Sequence, residues 1–176
     1  MSRRADLTGA YLFGAGLNGV RLEGADLGGA NLGNAELADA DLSFADLTKA
    51  ELVGCVAPNI RLRGARLFAA VLDDAVLTGA DLSHAILNSA KLYRTDLCGA
   101  NLTFASLRWA RLGNDSMPTA LTGAAMVGCE FEGAKGAVVG PVLVDEDRSR
   151  SLDGADLEAW FAERGAEHVR VLRPAG

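Results

Sequence analysis

Residues 25–54 read ADLGG-ANLGN-AELAD-ADLSF-ADLTK-AELVG, six consecutive fives with Leu third and Ala first in every one. The frame extends both ways. From Ala5 to Asn114 there are 22 such pentads; 21 carry Leu at the centre, the exception being Ala57, and 18 carry Ala two residues earlier, the exceptions being Val20, Cys55, Ile60 and Thr95. Between the two sits a mostly polar residue, often Asp or Asn, as at Asp6, Asp26, Asn31, Asp41, Asp46, Asp81, Asp96 and Asn101.

A period of five suits neither a helix, which wants 3.6, nor a strand, which wants 2. On a helix, Leu at every fifth position precesses around the axis and makes no stripe. The period suits a solenoid in which each pentad forms one side of a coil, with Leu and the preceding Ala inward and the other three residues outward. Four sides close a square coil of about 20 residues, and coils stack at the strand spacing of roughly 4.8 Å. About 25 pentads then give a rod on the order of 30 Å long.

The repeat occupies residues 5–112, behind a short tip at 1–4. Two irregularities interrupt it. Pentad 55–59 has Ala57 at the centre followed by Pro58, which lacks a backbone donor, so a local bulge or bend is expected there. At 113–118 the frame breaks: Leu112 and the next centre, Leu121, are nine residues apart, which reads as a deletion scar or as a protruding loop able to touch a partner. The fives resume over 119–135 with centres Leu121, Met126 and Phe131 and small partners Thr119, Ala124 and Cys129.

The tail, 136–176, changes character. Residues 136–144 read as an extended cap and 145–151 as a charged loop. Asp153 is a suitable N-cap for a helix over about 154–164, closed by Gly165. Leu157, Trp160 and Phe161 share one face of that helix. His168 to Leu172 follows as a last strand. A solenoid end must be covered, and this tail is expected to cover it, with Leu157, Trp160 and Phe161 also a candidate two-fold dimer contact.

Composition narrows the function. Net charge is −6, which argues against a phosphate-binding surface. No apolar run is long enough to cross a membrane. Met1-Ser2-Arg3-Arg4 leads straight into the repeat without the apolar stretch of a signal peptide. Three irregularly spaced cysteines make no disulfide framework. A cytoplasmic location is therefore expected. Catalytic constellations are not evident: His84 lies outward in the repeat and His168 in the tail, neither with a nucleophile nearby in sequence. Cys55 and Cys129 fall at inward positions and Cys98 at an outward one. The acids at 145, 147, 153 and 156 loosely echo a calcium loop, but Arg150 stands where Gly is needed and Asp156 where Glu is needed. No catalytic, cofactor or metal site is expected.

The unit Ala-(Asp/Asn)-Leu-x-x, as in Ala25-Asp26-Leu27-Gly28-Gly29 and Ala40-Asp41-Leu42-Ser43-Phe44, resembles the pentapeptide-repeat family. That resemblance implies an all-β solenoid, a right-handed four-sided parallel β-helix, here with a short C-terminal helix. It also implies a non-catalytic binding role. Some members imitate duplex DNA, occupy the DNA site of gyrase and protect it from quinolone-type inhibitors, and the tail is similar to the one that joins two such rods into a homodimer. The alternative is a protein–protein interaction scaffold with another partner.

Outward residues are the functional alphabet of such a rod. Residues 5–54 hold eight acids and two bases, residues 55–114 four acids and seven bases, and residues 115–176 eleven acids and six bases. Asp6, Asp26, Asp46, Glu36, Asp41 and Glu51 are the candidate acidic partner-binding face. The basic middle, with Arg61, Arg63, Arg66, Arg94, Arg108 and Arg111, is what a DNA mimic would not want. Phe44, His84, Phe104 and Trp109 form a candidate aromatic patch. No direct contact with nucleic acid or membrane is expected.

Overall fold

The computed structural model describes residues 4–145 and 149–173. Each pentad forms one side of a square coil, and partners in adjacent coils are parallel and twenty residues apart, as in Asp6 with Asp26 and Asp26 with Asp46. The local hydrogen bonds show why five residues make a side. Asp26 N–H donates back to Ala5 C=O (2.9 Å), Leu7 N–H forward to Asp26 C=O (2.7 Å), Gly9 N–H forward to Gly28 C=O (2.9 Å), and Ala10 N–H closes a turn on Leu7 C=O (2.9 Å). The residue before each corner has positive φ, as at Gly9 (64°) and Asn34 (53°), which is why Gly, Asn and Asp recur there.

One donor per pentad is left over, the N–H just after the central Leu. Where Asp or Asn stands just before the Leu, its side chain accepts it. Gly28 N–H donates to Asp26 Oδ1 (3.0 Å), Gly33 N–H to Asn31 Oδ1 (2.9 Å), Thr48 N–H to Asp46 Oδ1 (2.9 Å) and Cys98 N–H to Asp96 Oδ1 (2.9 Å). The preference for Asp and Asn at this position is thus in good part a backbone requirement.

The interior is a stack of Leu and Ala layers. From Ala25 to Leu112 the inward positions are no more than 1% exposed. Uniform small and medium side chains fill a channel of constant width at every level.

Pro58 causes no bulge. It falls at the position whose N–H the inter-coil ladder never uses; Ala57 N–H reaches Val76 C=O (2.8 Å), Asn59 N–H reaches Thr78 C=O (2.9 Å), and the residue two before Pro58 is Val56, with no acceptor to waste. The break at 113–118 is likewise not a deletion. Strands β1 (Arg111–Asn114) and β2 (Met117–Ala120) form an antiparallel hairpin, turned where Asn114 Oδ1 accepts the N–H groups of Ser116 and Met117 (3.0 Å each). Before it, stacked partners are 20 residues apart; after it, Ser106 meets Glu130, 24 apart. Nine residues between centres are one pentad plus four extra.

After the last coil, β3 (Lys135–Val139) lies parallel to β1 and β2, and the final strand β6 (His168–Leu172) lies parallel to β3. Between them β4 (Val142–Leu143) pairs antiparallel with β5 (Ser151–Leu152). Helix α1 (Gly154–Ala162) begins at Asp153, whose carboxylate accepts Gly154 N–H (2.8 Å). Its Leu157, Trp160 and Phe161 close the end of the channel; Phe131, centre of the last pentad, meets the Trp160 and Phe161 rings edge-on at 5.7 and 5.0 Å. Val171 N–H on the outer edge of β6 is met by Glu158 of α1 (2.8 Å), a carboxylate where a further coil would put a carbonyl.

The acceptor role of Asp26 is separable from its charge. Asp26→Asn keeps an Oδ1 for Gly28 N–H and relieves repulsion from Asp6 and Asp46, so its thermal midpoint should match or exceed the parent's. Asp26→Ala leaves the donor to water and should lose about 0.5–1.5 kcal/mol. Equal midpoints for the two variants in thermal melts followed by circular dichroism would contradict the assignment.

Candidate functional site

The four sides are here called faces A to D, starting from the pentad at Ala5. Each outward column is a ladder with one rung per coil. Face A runs Asp6, Asp26, Asp46, Arg66, Ile86, Ser106 and Glu130; face B runs Tyr11, Asn31, Glu51, Val71, Lys91 and Arg111, continued by Lys135 and His168.

This stacking tests the geometry of the proposed acidic face. Asp6, Asp26 and Asp46 do stand in one column. Glu51 is on face B, Glu36 on face C between Gly16 and Val56, and Asp41 on face D between Arg21 and Arg61. The six acids therefore do not share a face. Two of them are also neutralised along their columns, Asp41 by Arg61 at 3.1 Å and Asp46 by Arg66 at 3.5 Å, as is Asp74 by Arg94 at 2.5 Å further along the rod. Partial burial of Asp41 and Asp46 works against ionisation. It is outweighed by hydrogen bonds from Ser43 and Thr48 and by the arginine beside each, so both titrate below the usual aspartate range. Asp74 is lowered by its hydrogen bond from Arg94, and Asp6 by those from Thr8.

The aromatic residues mark a corner. Phe44, His84 and Phe104 share the column between faces D and A; His84 and Phe104 stack at 5.4 Å with planes 22° apart. Trp109 stands one corner on, between faces A and B, with the Arg108 guanidinium 5.0 Å from its ring centre. Three of the four rings lie over a glycine of the next coil: Phe44 over Gly64, Phe104 over Gly128 and Trp109 over Gly133. A Cβ on Gly64 would come within 2.8 Å of the Phe44 ring. These rings are about half exposed, and Phe68 (44%) and Ile86 (40%) of face A lie between the two corners.

Leu157, Trp160 and Phe161 are 0%, 7% and 0% exposed. They are used up in covering the last coil and offer no surface to a second rod, which corrects the expectation of a dimer contact through these side chains. Cys55 and Cys129 are buried, and burial pushes both thiols up to about 12. Burial also raises the half-buried Cys98 thiol, with Asp96 adding to the effect. Among the described residues no cluster of His, Cys, Asp and Glu could hold a metal ion.

One arrangement was not singled out from sequence. Lys91, Arg111 and Lys135 stand on consecutive coils of face B, followed by His168. All are exposed. Unlike Arg61, Arg66 and Arg94, none of the three cations has an acid within ion-pair distance among the described residues. Beside the column is a groove of about 260 Å³ between Tyr93, the β1–β2 hairpin and Arg170, itself paired with Asp115 of the hairpin turn. Lys91 and Arg111 could have been matched by counting twenty; Lys135 could not, because the extra four residues intervene.

Square coils, a Leu core and a recurring Asp/Asn acceptor before the central Leu define the class. The sequence pattern of Pentapeptide repeats matches eight copies between residues 3 and 114, and the chain belongs to that family. Among solved structures, it is similar to HetL, a pentapeptide repeat protein involved in heterocyst differentiation regulation from the cyanobacterium Nostoc sp. strain PCC 7120. Identity there is 29% over 81% of this chain and 61% of that one, with a TM-score of 0.51, so the chain spans under two thirds of HetL. It is also similar in fold to a trypsin-treated form of QnrB1, a plasmid-mediated fluoroquinolone resistance protein, at 21% identity over 96% of this chain and 78% of that one, with a TM-score of 0.75. No curated protein sequence matches the chain.

The lowered aspartates give an acid signature. A carboxyl whose folded pKa is depressed stabilises the fold fully above its unfolded value, about 3.9, and loses that contribution as pH falls through the folded value. The melting temperature should therefore drop between about pH 5 and pH 2. The drop should be smaller in an Asp41→Asn/Asp74→Asn variant than in the parent; identical acid profiles by differential scanning calorimetry would show that these two carboxylates do not contribute.

Proposed function

We propose that this chain is a non-catalytic binding rod whose partner is a protein presenting a row of carboxylates to the C-terminal half of face B. The observation that supports this reading is the unpaired cation column of Lys91, Arg111 and Lys135 beside the β1–β2 hairpin. Stacking fixes these charges one coil apart, roughly 4.8 Å, where like charges repel. At Arg61, Arg66 and Arg94 the rod places an aspartate in the neighbouring coil to answer the charge; this column has no such aspartate among the described residues, and a partner's carboxylates would take that place. The hairpin, a rigid projection on the same face, gives such a partner an edge to register against. A chain of net charge −6 with Asp6, Asp26 and Asp46 on the adjoining face is poorly suited to a long nucleic-acid backbone. Its three free thiols suit a reducing compartment such as the cytoplasm.

A labelled poly-glutamate peptide is the direct probe. By fluorescence anisotropy at low salt it should bind, weaken as salt rises, and lose about tenfold or more in affinity to a Lys91→Glu/Lys135→Glu variant that keeps the parent's circular dichroism. No binding at about 100 μM, or equal affinity for the two proteins, would sink the reading.

A second reading, modulation of DNA gyrase by duplex mimicry, is favoured by the Asp6–Asp26–Asp46 row and by the fold likeness to QnrB1. Protection of gyrase supercoiling from a fluoroquinolone, abolished by Asp26→Lys/Asp46→Lys, is its expected mark. A folded protein without effect at tens of micromolar removes it.

A further inference from the structure

The cation column of face B ends in a hollow. Where a regular coil would turn the corner after face B, the chain throws out the β1–β2 hairpin, and the hairpin borders the groove of about 260 Å³. Arg111 and Lys135, on consecutive coils, and His168 on the strand beyond them all line it. Gly113 and Gly136 line it too and add no side chain, which keeps it open. A Cβ on Gly136 would come within 2.5 Å of the Gly113 carbonyl oxygen, so backbone itself forms this part of the wall.

The lining is rich in donors and poor in acceptors. Arg111 and Lys135 have no acid within ion-pair distance among the described residues. Asn114 commits its Oδ1 to the N–H groups of Ser116 and Met117 (3.0 Å each), which leaves its Nδ2 hydrogens to be shared outward. Tyr93 adds a hydroxyl at the rim. The one acid of the lining, Asp115, is held by Arg170. Three permanent cations, Arg111, Lys135 and Arg170, set against Asp115 leave two positive charges around one small concavity. A carboxylate answers one of them. A phosphoryl group carries about −1.5 to −2 at neutral pH and offers three acceptor oxygens, so it answers both charges and engages several donors at once.

From this balance we infer that the groove receives a phosphorylated side chain of the protein partner. The inference rests on the acidic-partner reading above and makes it more specific: the partner's carboxylates follow the column, and its phosphate fills the hollow at the column's end. Lys91 ties the phosphate to a chain. It lies outside the groove, one coil before Arg111 and two before Lys135, hence roughly 10 Å from Lys135. An extended peptide covers that distance in about three residues. A glutamate or aspartate about three residues from the phosphorylated one therefore meets Lys91, a contact that a free anion in the groove would not make.

Two labelled peptides of equal net charge test this by fluorescence anisotropy on the full chain. One is acidic with a phosphoserine at its centre; the other has glutamate there and one further glutamate at its end. The parent should bind the phosphopeptide at least about tenfold more tightly. Arg111→Gln/Lys135→Gln should bring the two peptides within about twofold of each other, whereas Lys91→Gln should weaken both and keep the preference. These side chains are exposed, and an unchanged circular dichroism spectrum keeps the comparison to binding. Equal affinity of the parent for the two peptides, or a preference that survives Arg111→Gln/Lys135→Gln, would overturn the inference and leave the acidic-partner reading standing. Failure of both peptides to bind at about 100 μM would overturn both. Inorganic phosphate should compete only above about 1 mM; displacement of the phosphopeptide at micromolar phosphate would give the groove to a free anion and overturn the inference as well.

Discussion

Everything in this rod depends on the backbone ladder between successive coils. Parallel hydrogen bonds on all four sides hold the coil spacing constant, and a constant spacing leaves room for one Leu and one small residue per side at every level. The same ladder uses four of the five backbone N–H groups of each pentad, three between coils and one in the turn, which isolates the fifth. Asp and Asn meet that need from the preceding outward position. Part of the negative charge that a sequence reading assigns to a partner surface is thus required by the chain itself. Acidic columns in such a rod acquire functional meaning only where the aspartates are neither replaceable by Asn nor answered by an arginine in the next coil.

The fold was legible because its physical requirement repeats. Leu at the centre and Ala two before it state the same inward geometry 22 times over, with few exceptions, and no competing periodicity accounts for them. The exceptions were misread where linear spacing had to stand in for a stack. Pro58 looked like a ladder defect because its place relative to the unused N–H is visible only once the bonds are drawn. The spacing across 113–118 looked like a loss because five and four add to one less than ten.

The surface was legible in part. Asp6, Asp26 and Asp46 align by simple counting, but grouping Glu36, Asp41 and Glu51 with them ignored that each pentad turns the chain by a quarter. Trp160 and Phe161 carried an ambiguity that their spacing could not resolve, since one helix stripe can face the chain's own core or another molecule. The open channel at Phe131 decides it, because three apolar side chains filling that end leave none over. Lys135 and His168 join the cation column only through the hairpin and the tail, beyond the part of the chain that keeps strict time.

The quarter turn per pentad sets the rules by which such a chain can change length. One added pentad would leave the core intact, since any side fits on any other, yet every residue downstream would move to the next face: Lys135 would leave face B for face C and part from Lys91 and Arg111. Stability would scarcely register the event, while the surface pattern would be scrambled. Only whole coils of twenty residues, or extra residues thrown out of the stack, preserve the pattern. The hairpin at Asn114 is of the second kind, since it takes four residues out of line and lets Ala120 settle beneath Asp96 in the column where it belongs. Lengthening that turn is therefore a local change in chain length that leaves all four faces in alignment.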